Sequence, residues 1–105
     1  MNDLLPNTLL SEIPDLYASE NETDPLVRAK LFLCDSNWTW FIIEVSESDG
    51  DTCFGLVVGL EVELGYFSLA ELSTVRGALN LKVERDLYFE AKPLSEVREE
   101  INCHV

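Results

Sequence analysis

Residues 53–72, CFGLVVGLEVELGYFSLAEL, decide how this chain folds. Residues 54–60 are apolar, carry two glycines and no charge, and read as a strand covered on both faces. Glu61-Val62-Glu63 interrupts the run and Leu64-Gly65-Tyr66-Phe67 resumes it. That pattern predicts a tight β-connection with Glu61 and Glu63 at or near its tip. Ser68 then stands where a helix N-cap would, with Glu71 three residues on, the spacing of a capping box. Strand, turn, strand and helix start follow one another here, which is information about scaffold and not about chemistry.

Toward the N-terminus, residues 26–34 (LVRAKLFLC) alternate. Arg28 and Lys30 fall on one side and Val27, Ala29, Leu31 and Leu33 on the other, as in a half-buried strand. Asp35-Ser36-Asn37 is turn chemistry. Residues 38–45 (WTWFIIEV) predict a second strand hairpinned onto the first, with Trp38, Trp40, Ile42 and Glu44 sharing one face. Residues 46–52 (SESDGDT) connect it to the 54–60 strand, and the succession of short connections implies an antiparallel meander.

Toward the C-terminus, the helix opened by Ser68 is expected to run to about residue 75, with Gly77 as its C-cap. Leu79, Leu81 and Val83 are expected to anchor an extended piece, residues 87–90 (LYFE) to form a last strand, and Leu94, Val97 and Ile101 to line one face of a C-terminal helix. Residues 1–24 hold six acids and no base, with a short amphipathic helix at about residues 6–13 that docks on the sheet. The fold class expected is α+β, with an antiparallel meander sheet of four to five strands and helices packed on one face. Residues 1–24 form an acidic helical segment and residues 25–105 a single α+β domain.

Twenty acids oppose seven bases, giving a net charge of −13 in 105 residues. Such an excess excludes nucleic acid as a direct ligand, because a phosphate binder needs a basic face. It also disfavours an anionic membrane surface and favours a basic partner or a cation. Cys34, Cys53 and Cys103 are odd in number and lack CxxC spacing, and residues 1–10 show neither bases nor a long apolar run. These features predict reduced thiols in a cytoplasmic protein.

The acidic loop from Glu44 through Glu47, Asp49 and Asp51 lacks the twelve-residue calcium-loop pattern and reads as a solvated hairpin loop. Glu61 and Glu63 lack a neighbouring base that would separate an acid role from a base role. His104, the single histidine, is next to last, where a catalytic imidazole would be poorly held. Glu84-Arg85-Asp86 reads as an ion-pair cluster bracing the last strand. No catalytic motif, metal site or cofactor site is implied. Trp38, Trp40, Phe41, Tyr66, Phe67, Tyr88 and Phe89 are interleaved with acids; they read as ordinary core, and any that are exposed would form an aromatic patch rimmed by negative charge.

Asn37-Trp38-Thr39-Trp40, Glu63-Leu64-Gly65-Tyr66-Phe67-Ser68 and Val83-Glu84-Arg85-Asp86, in that order, resemble the bacterial family called domain of unknown function 2958. The resemblance runs over residues 25–97. It implies a small stand-alone protein of the kind carried on plasmids, phages and other mobile elements, and it brings no activity and no catalytic residues.

Two classes of function follow as expectations. One is an acidic interaction protein without enzyme activity, an inhibitor of a host defence nucleoprotein complex of the anti-CRISPR or anti-restriction type. It would act as a DNA mimic on a basic protein surface, as monomer or homodimer, through Glu44, Glu47, Asp49, Asp51, Glu61 and Glu63 with Trp38 and Trp40 as anchors. The other is a metal-dependent or carboxylate-based enzyme using Glu61, Glu63, Glu84 and Asp86. A plasmid accessory protein with some other partner is a third.

Overall fold

A computed structural model describes residues 4–103. In chain order its elements are α1 (Asn7–Leu10), β1 (Leu26–Val27), β2 (Ala29–Leu33), β3 (Thr39–Val45), β4 (Thr52–Val58) and β5 (Val62–Ser68). They are followed by α2 (Leu69–Leu72), β6 (Val83–Arg85), β7 (Lys92–Pro93) and α3 (Leu94–Cys103). The main sheet has the order β5-β4-β3-β2-β6 and is antiparallel throughout. The fold is therefore α+β: β2 to β5 form a meander and β6 returns to the far side of β2. β1 and β7 make a separate two-stranded ribbon.

β3 lies in the middle, and its residues from Trp40 to Val45 are all buried. Both of its faces are apolar, so both need cover. On one face Trp40, Ile42, Leu31 and Val83 pack with Leu4, Leu5 and Ile13 of the N-terminal segment and with Leu69 and Leu72 of α2. On the other, Phe41, Ile43 and Leu56 pack with Leu94 and Val97 of α3. The helices thus divide between the two faces, where the sequence pattern suggested one. Each fully buried leucine or isoleucine contributes about 2 kcal/mol.

Two details depart from simple alternation. Val27 joins the second core and not the face of Ala29 and Leu31. The strand breaks at Arg28, whose N–H donates to the Ile42 carbonyl (2.7 Å), and β1 turns away to pair with β7. The second departure is a β-bulge in β3. Ile42 pairs with Gly55 and Glu44 with Phe54, leaving Ile43 as an extra residue. The bulge removes Glu44 from the Trp40–Ile42 face, where the alternation of residues 38–45 placed it. Val45 returns to the first core, opposite Cys53. Gly55 makes this approach feasible: a Cβ there would fall inside the Phe41 carbonyl oxygen.

The helix ends follow the local chemistry. The Ser68 hydroxyl accepts the Glu71 N–H (3.2 Å), the predicted cap. α2 closes at Ser73, four residues before Gly77, which instead lies against the Asp35 carboxylate. Val83 is buried as expected, but Leu79 and Leu81 are exposed because residues 76–82 form a loop bridged only by Arg76 and Lys82. Residues 87–90 form a turn and an irregular segment, since the last strand of the main sheet, β6, already ends at Arg85.

Gly55 and Gly65 face each other in register on β4 and β5, yet only Gly55 is crowded; a Cβ on Gly65 meets nothing within 4 Å. Gly55→Ala is expected to lower unfolding free energy by about 3 kcal/mol in urea titration. Gly65→Ala is expected to be neutral or stabilising by up to about 1 kcal/mol, since glycine weakens a strand interior. Equal effects at the two positions would contradict the bulge geometry.

Candidate interaction surface

The β4–β5 hairpin carries the most exposed apolar groups near the predicted carboxylates. Its turn is closed by a bond from the Gly59 N–H to the Glu61 carbonyl (3.0 Å), and Leu60 at the tip is 95% exposed. β5 is the outermost strand, and Val62, Glu63, Leu64 and Tyr66 are all exposed. Alternation puts Val62, Leu64 and Tyr66 on one face, where the Tyr66 ring lies 5.1 Å from that of Phe54. Glu63 projects from the other face, two residues after Glu61, which is exposed in the turn.

Of the six carboxylates expected at a partner surface, Glu47, Asp49, Glu61 and Glu63 are exposed. Three of the six, Glu44, Asp51 and the exposed Asp49, hold the chain together. Glu44 is only 4% exposed and cannot meet a partner. The bulge aims it at the turn of residues 17–19, where Oε1 accepts the Tyr17 N–H (2.9 Å) and Oε2 accepts the Ser19 N–H (2.9 Å) and the Ser19 hydroxyl. Tyr17 has φ 69°, a left-handed conformation that costs a tyrosine roughly 1–3 kcal/mol and persists only where its surroundings enforce it. Asp51 accepts the Ser68 hydroxyl (2.6 Å) and the Ala70 N–H (2.7 Å) at the start of α2. Asp49 folds its own loop, accepting the N–H groups of Asp51 and Thr52 and the Thr52 hydroxyl. Those bonds, the Thr52 N–H first, lower its pKa to about 2.

Further carboxylates that sequence reasoning passed over do the same work. Asp24 accepts the Ser95 N–H (2.8 Å) and hydroxyl (2.7 Å) at the start of α3, and these bonds, the hydroxyl first, lower its pKa. Asp35 accepts the Leu79 N–H (2.7 Å). Asp15 accepts the Glu47 N–H (2.8 Å). Their partners lie 71, 44 and 32 residues away, beyond the reach of any local pattern.

The aromatic anchors also need correction. Trp40 is 6% exposed and belongs to the core, because its face of β3 is covered by the N-terminal segment and α2. Trp38 is 38% exposed and stacks on Trp40, 6.0 Å between centroids. The open rings are Tyr17, Tyr66 and Tyr88. Interaction with Tyr17 is the largest cause of the raised pKa of Tyr66.

The four carboxylates considered for acid–base chemistry do not converge. Glu61 and Glu63 lie at the β5 edge and Glu84 in β6 with Asp86 just after it, at the opposite edge, four strand spacings or roughly 19 Å away. Asp86 pairs with Lys30 (3.7 Å) and not with the adjacent Arg85. It borders a cleft of about 580 Å³ between the sheet and α3. There Lys92 pairs with Glu100 (2.8 Å), which chiefly raises the lysine pKa, and Lys30 and Lys92 lie 5.8 and 5.3 Å from the Phe41 and Phe89 ring centroids. Both ammonium groups in the cleft are thus already neutralised by the protein's own carboxylates. No group of three or more His, Cys, Asp or Glu among the described residues is arranged to hold a metal ion. Cys53 is buried and its thiol is pushed up to about 12, first by burial and then by Asp51 and Asp49; Cys34 is exposed and free. His104 lies outside the described residues, as does the Cys103 side chain.

The family model described as Protein of unknown function (DUF2958) matches residues 4–102, and the chain belongs to that family. The match is wider than residues 25–97 and takes in the N-terminal segment from Leu4, whose Leu4, Leu5 and Ile13 complete the first core. No curated protein and no solved structure matches the chain. No helix among the described residues is long and apolar enough to cross a membrane.

Glu44→Gln keeps the side-chain shape but replaces one acceptor with a donor. It is expected to cost about 2 kcal/mol in urea titration and to speed amide exchange at Tyr17 and Ser19. An unchanged midpoint would mean that the turn stands without it. Asp49 is expected to titrate near pH 2 by carboxyl NMR against the ordinary 3.8. Because this pKa is depressed on folding, its stabilising share is complete above about pH 4 and fades as pH falls toward 2. A midpoint near 3.8 would contradict the three-donor loop.

Proposed function

We propose that this is a small non-enzymatic interaction protein that presents carboxylates and an apolar hairpin to a basic protein surface. One observation carries the reading. Twenty acids face seven bases, and among the described residues just two ion pairs form, Lys30–Asp86 and Lys92–Glu100. Even with several acids committed to holding loops, the surface stays strongly negative. Glu47, Glu61 and Glu63 are exposed, and exposed Leu60, Val62, Leu64 and Tyr66 adjoin the last two. Charge steers encounter, and aromatic and aliphatic groups supply the contact that holds it.

The partner class that fits is the nucleic-acid channel of a host defence complex, a CRISPR effector or a restriction enzyme, where the protein would stand in for the phosphate backbone in the cytoplasm. The two exposed edge acids, Glu61 and Glu63, would provide the charge nearest the contact. The test is competition. The protein is expected to displace duplex DNA from such a complex at low salt and to lose that ability steeply as salt rises. Joint Glu47→Gln, Glu61→Gln and Glu63→Gln substitution should weaken it about tenfold with unchanged melting. Absence of competition at low salt across both classes of complex would overturn the reading.

A further inference from the structure

We propose that the outer edge of β5 takes up an extended segment of the partner as a sixth strand, with apolar side chains beside Val62, Leu64 and Tyr66 alternating with lysines or arginines beside Glu61 and Glu63. The proposal deepens the reading above and rests on it.

Three observations carry it. The first is the edge itself. Proteins blunt exposed sheet edges with charged side chains (lysine above all), prolines, bulges or very short strands. Of these β5 has only Glu63: it is seven residues long, contains no proline or lysine, and keeps continuous register with β4 from Val62 to Ser68. Its outer backbone groups therefore form a regular ladder half.

The second is the period-two pattern. One face of the edge carries Val62, Leu64 and Tyr66, and the other carries Glu63, with Glu61 in the turn two residues before it and Gly65 and Phe67 after it. An added strand places its own alternate side chains beside these two rows. Its sequence must then set apolar side chains beside the first row and basic ones beside the Glu61–Glu63 end of the second.

The third is the groove flanking the apolar row, about 430 Å³ in volume. Its floor includes Ile43, Phe54 and Leu94, Tyr17 and Tyr66 line it, and exposed Glu20 and Glu22 border it. None of the lining residues is basic, unlike the cleft on the other side of α3 with its paired lysines. A bulky apolar side chain of the added strand suits this place, because Ile43, Phe54 and Leu94 give it an apolar floor to cover.

Charge also separates the candidate occupants. A second copy would bring another −13 and another row of glutamates to the same edge. A basic segment has the complementary sign.

The experiment titrates the full chain, followed by NMR at low salt, with a synthetic peptide of alternating lysine and valine as long as β5. A control peptide has the same residues but is N-methylated at every second amide, which keeps the charge and blocks strand pairing. The alternating peptide is expected to bind at least about tenfold more tightly than the control and to slow amide exchange within residues 62–68. Leu64→Lys should weaken it about tenfold, whereas Glu99→Gln, with the same one-unit charge change on α3, should leave it within about twofold. Equal binding of the two peptides would overturn the sixth strand while leaving the electrostatic reading intact. Binding by neither peptide would overturn the sixth strand too, and the DNA competition assay then judges the electrostatic reading separately. Concentration-dependent dimerisation protecting the β5 amides without peptide would also overturn it, since a second copy would then hold the edge.

Discussion

One extra residue in the central strand governs much of this molecule. The bulge at Ile43 takes Glu44 off the face of Ile42 and returns Val45 to it. Gly55 permits the bulge by leaving the space next to the Phe41 carbonyl empty. Glu44, redirected, accepts three donors from the turn at residues 17–19. Those bonds hold Tyr17 in a left-handed conformation that it would not adopt unaided. Tyr17 in turn meets Tyr66 and lines the groove beside the edge strand. A backbone irregularity in the core is thereby transmitted, through one carboxylate, to the shape of the most open surface.

The same device recurs, and it changes how the acidic composition should be understood. Asp24, Asp35 and Asp51 each accept backbone N–H groups from a segment far along the chain. A carboxylate suits this role because it accepts only, with two oxygens, and bonds to a charged acceptor are roughly twice as strong as neutral ones. Part of the acidic excess is therefore structural, even where the carboxylate also faces solvent as at Asp24 and Asp49, and net charge alone does not reveal which acids are so committed. The carboxylates most prominent in the sequence, clustered between Glu44 and Asp51, turn out to be largely the structural ones. Glu61 and Glu63, expected at the turn and at the partner surface, are open.

This explains what could and could not be read from residues 53–72 and their flanks. The hairpin, the Ser68 cap and the apolar face of α3 are local consequences of periodicity and turn chemistry, and they were legible. The bulge was not, because WTWFIIEV is apolar on both faces of β3 and a slip of one residue leaves an equally buriable pattern. Val27 was misplaced for a related reason: the break at Arg28 depends on pairing with β7, more than sixty residues away. Leu79 and Leu81 alternate like strand residues, but no neighbouring strand is there to receive them. At the candidate surface the acids were legible as charge. Their division into fasteners and free groups depended on long-range bonds that no local pattern encodes.

The two ends of the sheet show why charge and edge belong to one account. β6 is only three residues long, and Asp86, next after it, is fastened to β2 through its N–H on the Lys30 carbonyl and its carboxylate near the Lys30 ammonium. β5, at the other end, is long, regular and partly apolar, the kind of edge that pairs with its own copies unless something prevents it. The usual protective lysines and prolines are missing from it. Mutual repulsion between chains of net charge −13 can take their place, because it acts on every copy before backbones come within reach. Such protection is selective by sign. It bars another acidic chain, admits a basic one, and weakens in salt for both. On this argument the acidic composition and the unblunted strand are not independent oddities: a chain with either one alone would aggregate, or would have little to hold a partner with.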